Sequence, residues 1–563
     1  MEHVHHPNGN RYWDGHRPVY PESFYAYRSR HRSRWHWRAV RPVRSQLRDG
    51  DPRRHRAIRH QPSRGRRPGT TPVNVKPTPL GTSRLLEFGH RLSRAGQFTD
   101  AEQCFSQAIT LDPECAMAYN NLGWTRQRLG DLTSAESLYR QALSRDKELR
   151  LARRNLAKLL LRLGRDEEAL PLFRAELNQG DDGLAWIQGL VNNALKARDL
   201  TLAGQYAAMT ARLRWGEGLN PPGHVDPSPS YPPSIPKLRH DADQFRYLRR
   251  QGVLGTEIEP VIDAYEDLID RLMPRGPEAR QELDSNESRA IGHAYNRLLH
   301  TRETPRVTRA LSDKWDRDAV ERMYLDTPPG VVYVDNFLSP AALDGLRKFC
   351  LESTIWSGSR YAHGRLGAFF QDGFNCPLLL QIGEELREAL PRMIGYRYPL
   401  RQLWGFKCGP ELPADATTHA DFAAVNVNFW ITPDEANLDP ESGGLVVYDV
   451  DAPLSWDFDT YNGRTDVIKP FLQRQHSRAM NIPYRANRAV IFNSDLFHAS
   501  AGVSFRPGYE NLRVNITMLY GEREDEVHHR EMHHPDPMSE SHELIPAWRS
   551  AAFRHTRTSR PGP

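Results

Sequence analysis

The chain has 563 residues, too many for one hydrophobic core, and its mean hydropathy is -0.68. No apolar stretch is long enough for a membrane-spanning helix, and no apolar leader is visible near the first residue. Five scattered cysteines without a C-x-x-C pair argue against a disulfide framework, so we expect reduced thiols and a cytoplasmic protein. Residues 1–80 hold 18 Lys+Arg against 5 Asp+Glu, whereas the remaining chain holds 58 against 65. The basic pI therefore reflects the N-terminal segment alone.

Residues 1–83 are rich in Arg, Pro and Gly and show neither helical nor strand periodicity, which is typical of a disordered tail. Arginine interspersed with Trp and Tyr is able to bind nucleic acid or anionic lipid. No folded nucleic-acid motif accompanies the tail, so nucleic acid is disfavoured as a partner. We expect a protein that starts near residue 80 to keep full activity.

Residues 84–216 repeat with a period of 34. A turn glycine, a small residue and an aromatic recur at that interval, at Gly96, Gly130 and Gly164, at Ala101, Ala135, Ala169 and Ala203, and at Phe105, Tyr139 and Phe173. Stacked helix hairpins need a small residue where two helices approach most closely. The pattern resembles tetratricopeptide repeats, three clear and a degraded fourth. Such arrays present a concave surface to peptides or helices; a dimerisation or spacer module is the alternative.

Residues 217–236 are Pro- and Gly-rich and are interpreted as a linker. Residues 237–325 show apolar positions three and four apart, which predicts a helical connector that buttresses the next domain. Within it, His240 and Asp241 are interpreted as residues of a helix surface. Ser339-Pro340 supplies an N-cap followed by Pro at the first helical position, which predicts a helix directly afterwards.

Three strands are predicted towards the C-terminus. The run 425–431 alternates polar and apolar residues, and it places Asn426, Asn428 and Trp430 on one face, interpreted as the inward one with an outward, solvated face as the alternative. Residues 488–492 form a second apolar run, followed by a turn at 493–495. Arg513 opens a third run, in which Thr517 faces the same side.

His419 and Asp421 precede the first of these strands, and His498 follows the second. Two imidazoles and one carboxylate are the ligands of a ferrous site that keeps three coordination positions open for a co-substrate and dioxygen. The H-x-D pattern alone is weak, because a chain with 23 His produces it by chance. The strand context strengthens it. Arg513, on a neighbouring strand, is suited to binding the carboxylate of a keto-acid co-substrate through two parallel hydrogen bonds.

Residues 326–522 resemble the Fe(II)/2-oxoglutarate-dependent dioxygenases, most closely the prolyl-4-hydroxylase-like group. Five pieces occur in family order: VVYVDNFLSPAALDGLRKFC, the H-x-D, ESGGLVVYD, the distal His after NRAVIFNSD, and the R-x-x-I-T strand. The resemblance implies a double-stranded β-helix, or jelly roll, that binds Fe(II) through His419, Asp421 and His498. It also implies 2-oxoglutarate as co-substrate, salt-bridged to Arg513, together with O2 and, as an optional reductant, ascorbate. The expected fold class is multidomain α+β, a helical repeat array followed by this β-domain.

Two details qualify the resemblance. Cys408 stands where many relatives carry a tyrosine that contacts 2-oxoglutarate, which leaves Arg513 as the main anchor, with Thr517 and Asn428 as further candidate contacts. Relatives that halogenate have a small residue in place of the carboxylate. Since Asp421 is present, the resemblance implies hydroxylation of a C–H bond, coupled to decarboxylation of 2-oxoglutarate to succinate.

Two segments flank these motifs without belonging to them. Residues 450–483 carry Trp456, Tyr461 and Phe471 and are interpreted as a lid or substrate loop, with a surface insertion as the alternative. Residues 523–563 form a polar tail. Its four histidines at 528–529 and 533–534 are able to bind metal only if helical, and we interpret them as tail residues.

Three functions follow from these patterns. The first is a hydroxylase of a protein or peptide, prolyl residues included, recruited by the repeats at 84–216. The second is a hydroxylase of an amino acid or small molecule that uses the repeats for assembly. The third is an interaction scaffold whose oxygenase domain is inactive. The sequence leaves the substrate atom and the oligomeric state open.

Overall fold

The structure is a computed structural model that describes residues 81–178, 181–219, 232–277, 279–280, 284–359, 364–412 and 418–523. The tail at 1–80 and the four-histidine segment lie outside the described residues. No helix in the described part of the chain is long and apolar enough to cross a membrane. The chain forms two compact units; the first runs to Glu217 and also includes Gln371–Gly373, and the second comprises the rest.

The first unit is an array of α-helices arranged as four pairs. Their bounds are α1 Thr82–Arg94, α2 Phe98–Leu111, α3 Ala116–Arg128, α4 Leu132–Arg145, α5 Arg150–Arg162, α6 Asp166–Leu177, α7 Asp181–Lys196 and α8 Leu200–Trp215. The period of 34 therefore corresponds to one helix pair. The degraded fourth repeat forms a complete pair, α7 and α8, although its sequence had lost most of the pattern.

Small and aromatic residues pack the pairs together. The periodic alanines at 101, 135, 169 and 203 are fully buried. Gly123 of α3 packs against the Tyr139 ring of α4 so closely that a Cβ at this position would lie 2.9 Å from the ring carbon Cε1. The turn glycines at 96, 130 and 164 adopt positive φ, which glycine does without steric cost. The 34-residue period therefore arises from the close helix contacts and tight turns that each helix pair requires.

The second unit combines helices with antiparallel strands. Its helices are α9 Ile235–Arg250, α10 Glu259–Leu272, α11 Ser285–Ile291, α12 Arg317–Asp326, α13 Pro340–Glu352, α14 Pro377–Ala389, α15 Phe458–Gly463 and α16 Thr465–Arg474. Single 3-10 turns lie at Thr256–Ile258, Met273–Arg275, Phe370–Asp372, Asp434–Ala436 and Tyr509–Asn511. Ser339 caps α13, since its side chain accepts a hydrogen bond from the Ala342 amide at 3.3 Å, as the Ser-Pro motif predicted.

The strands form three sheets. They are β1 Val331–Val334, β2 Leu366–Phe369, β3 Leu400–Cys408, β4 Glu411–Leu412, β5 Val425–Trp430, β6 Leu445–Asp451, β7 Ala479–Ile482, β8 Ala489–Asn493, β9 Leu496–Ser500, β10 Val503–Ser504 and β11 Arg513–Tyr520. The largest sheet has the order β1-β8-β5-β11-β3-β2; β7-β6-β9 form a second and β10-β4 a third. Every described pairing is antiparallel. This β-rich unit carries the predicted site.

The core of the second unit settles which face of β5 is buried. All six residues of β5 are buried, both on the face with Val427 and Phe429 and on the face with the two asparagines and Trp430. Trp430 belongs to an apolar cluster with Val447 of β6 and Val490 of β8, which joins the six-stranded and three-stranded sheets. Polar residues on β5 are therefore enclosed between two layers.

One prediction about the connector is wrong. His240 and Asp241 are buried in α9 and do not lie on a helix surface. His240 contacts the Lys407 ammonium of β3 at 3.2 Å and Asp241 pairs with Lys237. Lys407 itself is 1% exposed and donates a hydrogen bond to the Tyr509 hydroxyl at 2.7 Å. No local pattern indicates this buried cluster, because its partners come from strand and loop segments about 170 and 270 positions further along the chain.

Candidate metal centre

His419 and His498 are brought together by a two-way backbone pairing. The amide of His419 donates to the carbonyl of His498 at 3.0 Å, and the amide of His498 donates back at 2.8 Å. Residues directly opposite each other in an antiparallel pair point their side chains to the same face. The two imidazole rings accordingly lie with their centroids 4.4 Å apart. The backbone alone therefore delivers two nitrogen ligands to one place.

Asp421 completes the cluster. It lies two positions after His419, and its amide donates to the carbonyl of Ser494, between β8 and β9, at 3.0 Å. Its oxygens are 3.9 Å from Nε2 of His419 and 3.5 Å from Nε2 of His498. One ligand atom from each residue fits within 4.8 Å of the others, the only such group among the described histidines, cysteines and acids. The three residues singled out in the sequence thus converge.

The electrostatics of the cluster suit a cation. Asp421 is 2% exposed, and burial alone raises its pKa. The hydrogen bond to His498 and the charges of both imidazoles outweigh burial, so the pKa of Asp421 lies below its usual value. Nδ1 of His498 lies 3.1 Å from the Leu496 carbonyl, an acceptor, so a neutral His498 carries its proton on Nδ1, and a metal at Nε2 would take the place of the hydrogen bond to Asp421. The donor set therefore fits Fe(II).

A chain of hydrogen-bonded side chains, called here the amide ladder, extends from the carboxylate of Asp421. Asn426 donates to Oδ2 of Asp421 at 2.7 Å, and Asn428 donates to Oδ1 of Asn426 at 2.6 Å. Oδ1 of Asn428 then accepts hydrogen bonds from the Thr517 hydroxyl at 2.7 Å and from the Asn515 side-chain amide at 3.0 Å. The inward face proposed for the asparagines is thus the face that carries the cluster. Asn428 and Thr517, proposed as co-substrate contacts, are paired with each other.

Asn515 belongs to this ladder but was not singled out in the sequence. It lies midway between Arg513 and Thr517 on β11, so strand alternation would have placed it on the same face. Its Oδ1 atom is buried without a hydrogen-bond partner among the described residues. An unsatisfied buried amide oxygen of this kind is a group for which a bound molecule or water is the usual partner.

Arg513 is a buried cation, 2% exposed. Nε donates to the Gly443 carbonyl at 2.5 Å, and Nη2 donates to the Gly444 carbonyl at 3.2 Å. Nη1 lies 3.9 Å from the sulfur of Cys408, the residue opposite Arg513 in the β3–β11 register. No carboxylate in the described part of the chain lies within ion-pair distance of it. A buried guanidinium without an acidic partner is costly, which favours an anionic ligand here.

The glycine pair 443–444 makes this arrangement possible. Gly443 has a φ of 76°, and a Cβ there would lie 2.9 Å from the Phe505 ring. A Cβ at Gly444 would lie 1.9 Å from the Ile482 carbonyl oxygen. Only glycine therefore lets this backbone run close enough to β7 and Phe505 to present its two carbonyls to Arg513. This gives a physical reason for the double glycine at the start of β6.

The segment 450–483 folds as α15, α16 and β7 and packs beside the ligands. The Ala420 amide donates to the Tyr461 carbonyl at 2.9 Å, and Asn462 donates to the Ala420 carbonyl at 2.8 Å. Ala420 is the residue between the two ligands His419 and Asp421, so both of its polar backbone groups are held by this segment. The role proposed from sequence, a lid or substrate loop, stays a prediction. The contacts show that this segment supports the backbone of the H-x-D segment.

The repeat unit has recognisable relatives. A family profile described as tetratricopeptide repeat matches residues 86–146 and 122–183. Residues 86–183 carry tetratricopeptide repeats. This confirms the repeat interpretation for that region.

Solved structures similar to parts of the chain carry related descriptions. PcrH in complex with the chaperone-binding region of PopD is 28% identical, covers 21% of this chain and 92% of that one, and has a TM-score of 0.18. The complex of the TPR2B domain of yeast Sti1 with pHsp70 is 18% identical, with 22% and 95% covered and a TM-score of 0.17. The TPR domain of Arabidopsis OM64 is 24% identical, with 17% and 78% covered and a TM-score of 0.16. No curated protein sequence matches the chain.

Proposed function

We propose that residues 326–522 form an Fe(II)- and 2-oxoglutarate-dependent dioxygenase with a double-stranded β-helix fold, which hydroxylates a C–H bond. The observation that carries the proposal is the convergence of His419, Asp421 and His498, whose ligand atoms lie within 4.8 Å of one another. Ferrous iron with 2-oxoglutarate and O2 would supply the oxidising chemistry when bound. The ligand set leaves one face of an octahedron open for them.

The residues of the chain would contribute geometry and charge. The backbone pairing of His419 with His498 sets the angle between two nitrogen ligands, and Asn426 fixes one oxygen of Asp421. Arg513 would bind the distal carboxylate of 2-oxoglutarate through the guanidinium N–H groups that Gly443 and Gly444 do not use. This pairing would neutralise the buried cation.

The repeats would bring the substrate. Tetratricopeptide repeats support a protein or peptide partner at residues 84–216, and a hydroxylase that carries them is best suited to a protein or peptide substrate. A small-molecule hydroxylase with repeats used for assembly differs in one respect: protein captured by the repeats would not be hydroxylated. Mass spectrometry of captured proteins for the gain of one oxygen atom separates the two.

Metal content and turnover test the proposal. The full-length protein, purified without oxygen and loaded with Fe(II), should bind iron in equal molar amount and, once O2 is admitted, form succinate and CO2 from 2-oxoglutarate. His419→Ala and Asp421→Ala should lose both iron and succinate, whereas His476→Ala, an exposed histidine in the same unit, should keep both. Arg513→Gln should retain iron and raise the KM for 2-oxoglutarate by about tenfold or more. Undiminished turnover in the His419 and Asp421 variants would refute the proposal.

A further inference from the structure

Arg523 lies just beyond the end of β11 and is almost completely buried, at 6% exposure. Its Nε atom lies 2.5 Å from Oδ1 of Asp495, which is 4% exposed. The two side chains therefore form a buried ion pair, in which each charge offsets the cost of taking the other out of water. Arg513, at the start of the same strand, pairs with no carboxylate among the described residues. Arg523 differs from it in having its charge already balanced, so it is not a second anion site.

The partner of Arg523 belongs to the turn that holds the backbone of a candidate metal ligand. Asp495 and Ser494 form the connection between β8 and β9. The Asp421 amide donates to the Ser494 carbonyl at 3.0 Å, and the Ser494 amide donates to the Ala424 carbonyl at 3.1 Å. The place of the Asp421 backbone therefore depends on the place of this turn. The carboxylate directly beside Ser494 is the one that Arg523 binds.

Arg523 also contacts the second support of the H-x-D segment, which is α15. Its guanidinium carbon lies 4.3 Å from the centre of the Tyr461 ring, a distance at which a cation is attracted to an aromatic face. The Tyr461 carbonyl accepts the Ala420 amide at 2.9 Å, and the neighbouring Asn462 donates to the Ala420 carbonyl at 2.8 Å. One side chain thus touches both segments that bind the backbone of residues 420 and 421.

A third contact joins these two supports to the end of β6. Nη2 of Arg523 donates to the Ala452 carbonyl at 2.9 Å, and the Ala452 amide donates to the Asp495 carbonyl at 2.7 Å. Ala452 directly follows β6, so it comes from a different stretch of chain than Tyr461 and Asp495. The guanidinium therefore lies where three stretches meet, and its contacts hold them at fixed positions relative to one another.

We propose that Arg523 is a positioning residue for the metal centre, which acts through the backbone supports of Ala420 and Asp421. The inference rests on the proposed function and deepens it, because it adds a residue beyond the three ligands and the amide ladder. A guanidinium does not bind a metal cation, so its effect is on where the ligands lie. Before metal binds, no cation draws the ligands together, and the surrounding structure has to hold them in place.

The three contacts require an arginine specifically. A guanidinium is planar and carries five N–H donors, so it is able to pair with a carboxylate, donate to a carbonyl and lie over an aromatic ring at once. A lysine in this place would keep the charge that Asp495 needs but lose the shape that reaches Ala452 and Tyr461 together. A glutamine would leave the buried carboxylate without a counter-charge. The metal centre should therefore weaken in the order arginine, lysine, glutamine at residue 523.

Hydrogen exchange of the full-length, metal-free protein tests the support without any metal. In Arg523→Gln, peptides that cover residues 418–424 should exchange about tenfold faster than in the wild type, because both backbone supports lose their common contact. Asp495→Asn removes the same ion pair from the other side and should give the same change. Peptides from α9, in the same unit, should exchange as in the wild type. Equal acceleration in α9 would show a general loss of stability and would overturn the proposal.

Titration with Co(II) tests the consequence for the metal centre. Arg523→Gln should weaken Co(II) binding by about tenfold and shift the visible absorption of the bound Co(II), because the ligands are held at altered angles. Arg523→Lys should recover part of the affinity.

Arg401→Gln is the matched control for this titration. Arg401 pairs with Glu522, the residue before Arg523, at 2.8 Å, so the variant removes an ion pair from the same terminal segment and should bind Co(II) like the wild type. Wild-type affinity and absorption in Arg523→Gln would overturn the role of Arg523 alone. A wild type that binds no Co(II) would instead refute the proposed metal centre, and with it this role.

Discussion

Asn426 donates a hydrogen bond from Nδ2 to Oδ2 of Asp421 across 2.7 Å, within a site where both residues are almost completely buried. The bond occupies one carboxylate oxygen and thereby sets which lone pairs remain for a cation. Hydrogen-bond partners of a metal ligand fix its orientation, and their removal typically weakens metal binding. Asn426 is therefore expected to act as a positioning residue for the proposed metal centre.

The first prediction concerns this bond. Asn426→Ala should lower the affinity for Fe(II), or for Co(II) used as a stable substitute, by about 10- to 100-fold. Titration of the metal-free protein with Co(II), followed by its visible absorption, measures the change. Asn481→Ala, an exposed asparagine on β7, is the control and should bind Co(II) like the wild type. An unchanged Co(II) affinity in Asn426→Ala would show that Asp421 needs no support from the ladder.

The second prediction concerns a buried carboxylate in the repeat unit. Glu176 is completely buried, and its oxygens lie 3.2 Å from Arg150, 3.1 Å from Arg153 and 2.7 Å from Arg154. Glu176→Gln removes the negative charge and leaves three arginines close together, so α5 and α6 should be destabilised by about 3 kcal/mol. Hydrogen exchange of the amides of these helices measures the local free energy of unfolding.

Glu167 provides the matched control for that measurement. It also lies on α6 and pairs with an arginine, Arg212, but its side chain is 82% exposed. Exposed ion pairs contribute little, so Glu167→Gln should leave the exchange rates of α5 and α6 nearly unchanged. Similar losses in both variants would mean that the burial of Glu176 is not what makes its charge important.

The third prediction uses two glycines of the repeat unit that should respond in opposite directions. Gly123→Ala places a methyl group 2.9 Å from the Tyr139 ring and 3.2 Å from the Ala135 carbonyl oxygen, so it should destabilise the unit by about 1–3 kcal/mol. Gly189 of α7 has no atom within 4 Å of the same position. Gly189→Ala should therefore stabilise the unit by about 0.5–1 kcal/mol, since alanine favours the helix. Urea unfolding followed by the circular dichroism of the helices compares them; the same sign for both would contradict the packing described.

Local patterns predicted the elements that depend on neighbouring residues. The period of 34 gave the helix pairs, because each small or glycine residue meets a fixed constraint within one repeat. Alternation along β5 and β11 placed Asn426 and Thr517 on the site face, since a strand fixes side-chain direction every second residue.

Contacts between distant segments could not be predicted in this way. Nothing local to Ala420 indicates that Tyr461 and Asn462 bind its backbone, because the contact depends on how an insertion of some thirty residues folds. His240 was misplaced for a similar reason. A polar residue on a helix is usually exposed, and only the long-range partner Lys407 makes its burial tolerable.

The last prediction follows from that buried cluster. In α9, Nδ1 of His240 donates to Asp241 at 2.9 Å, and Nε2 accepts from the Lys407 ammonium at 3.2 Å. Lys237 and the Tyr509 hydroxyl complete the polar surroundings. Protonation of Nε2 would place an N–H against the N–H of Lys407. Burial first, and then the charge of Lys407, lower the pKa of His240 from 6.5 to about 3.

The stability of the second unit should therefore fall as the pH decreases. Below pH 6.5 the unfolded chain binds a proton at His240 and the folded chain does not, so folding stability is complete above pH 6.5 and falls as the pH decreases towards 3. The loss is about 1.4 kcal/mol per pH unit well below 6.5. His240→Gln cannot titrate, so the second unit should lose less stability between pH 7 and pH 5 in this variant than in the wild type, whatever its stability at pH 7. Pulse proteolysis in urea, with detection of peptides from residues 235–250, measures both. His476→Gln, an exposed histidine, should retain the wild-type pH dependence, and equal slopes for His240→Gln and the wild type would show that His240 takes up its proton in the folded protein.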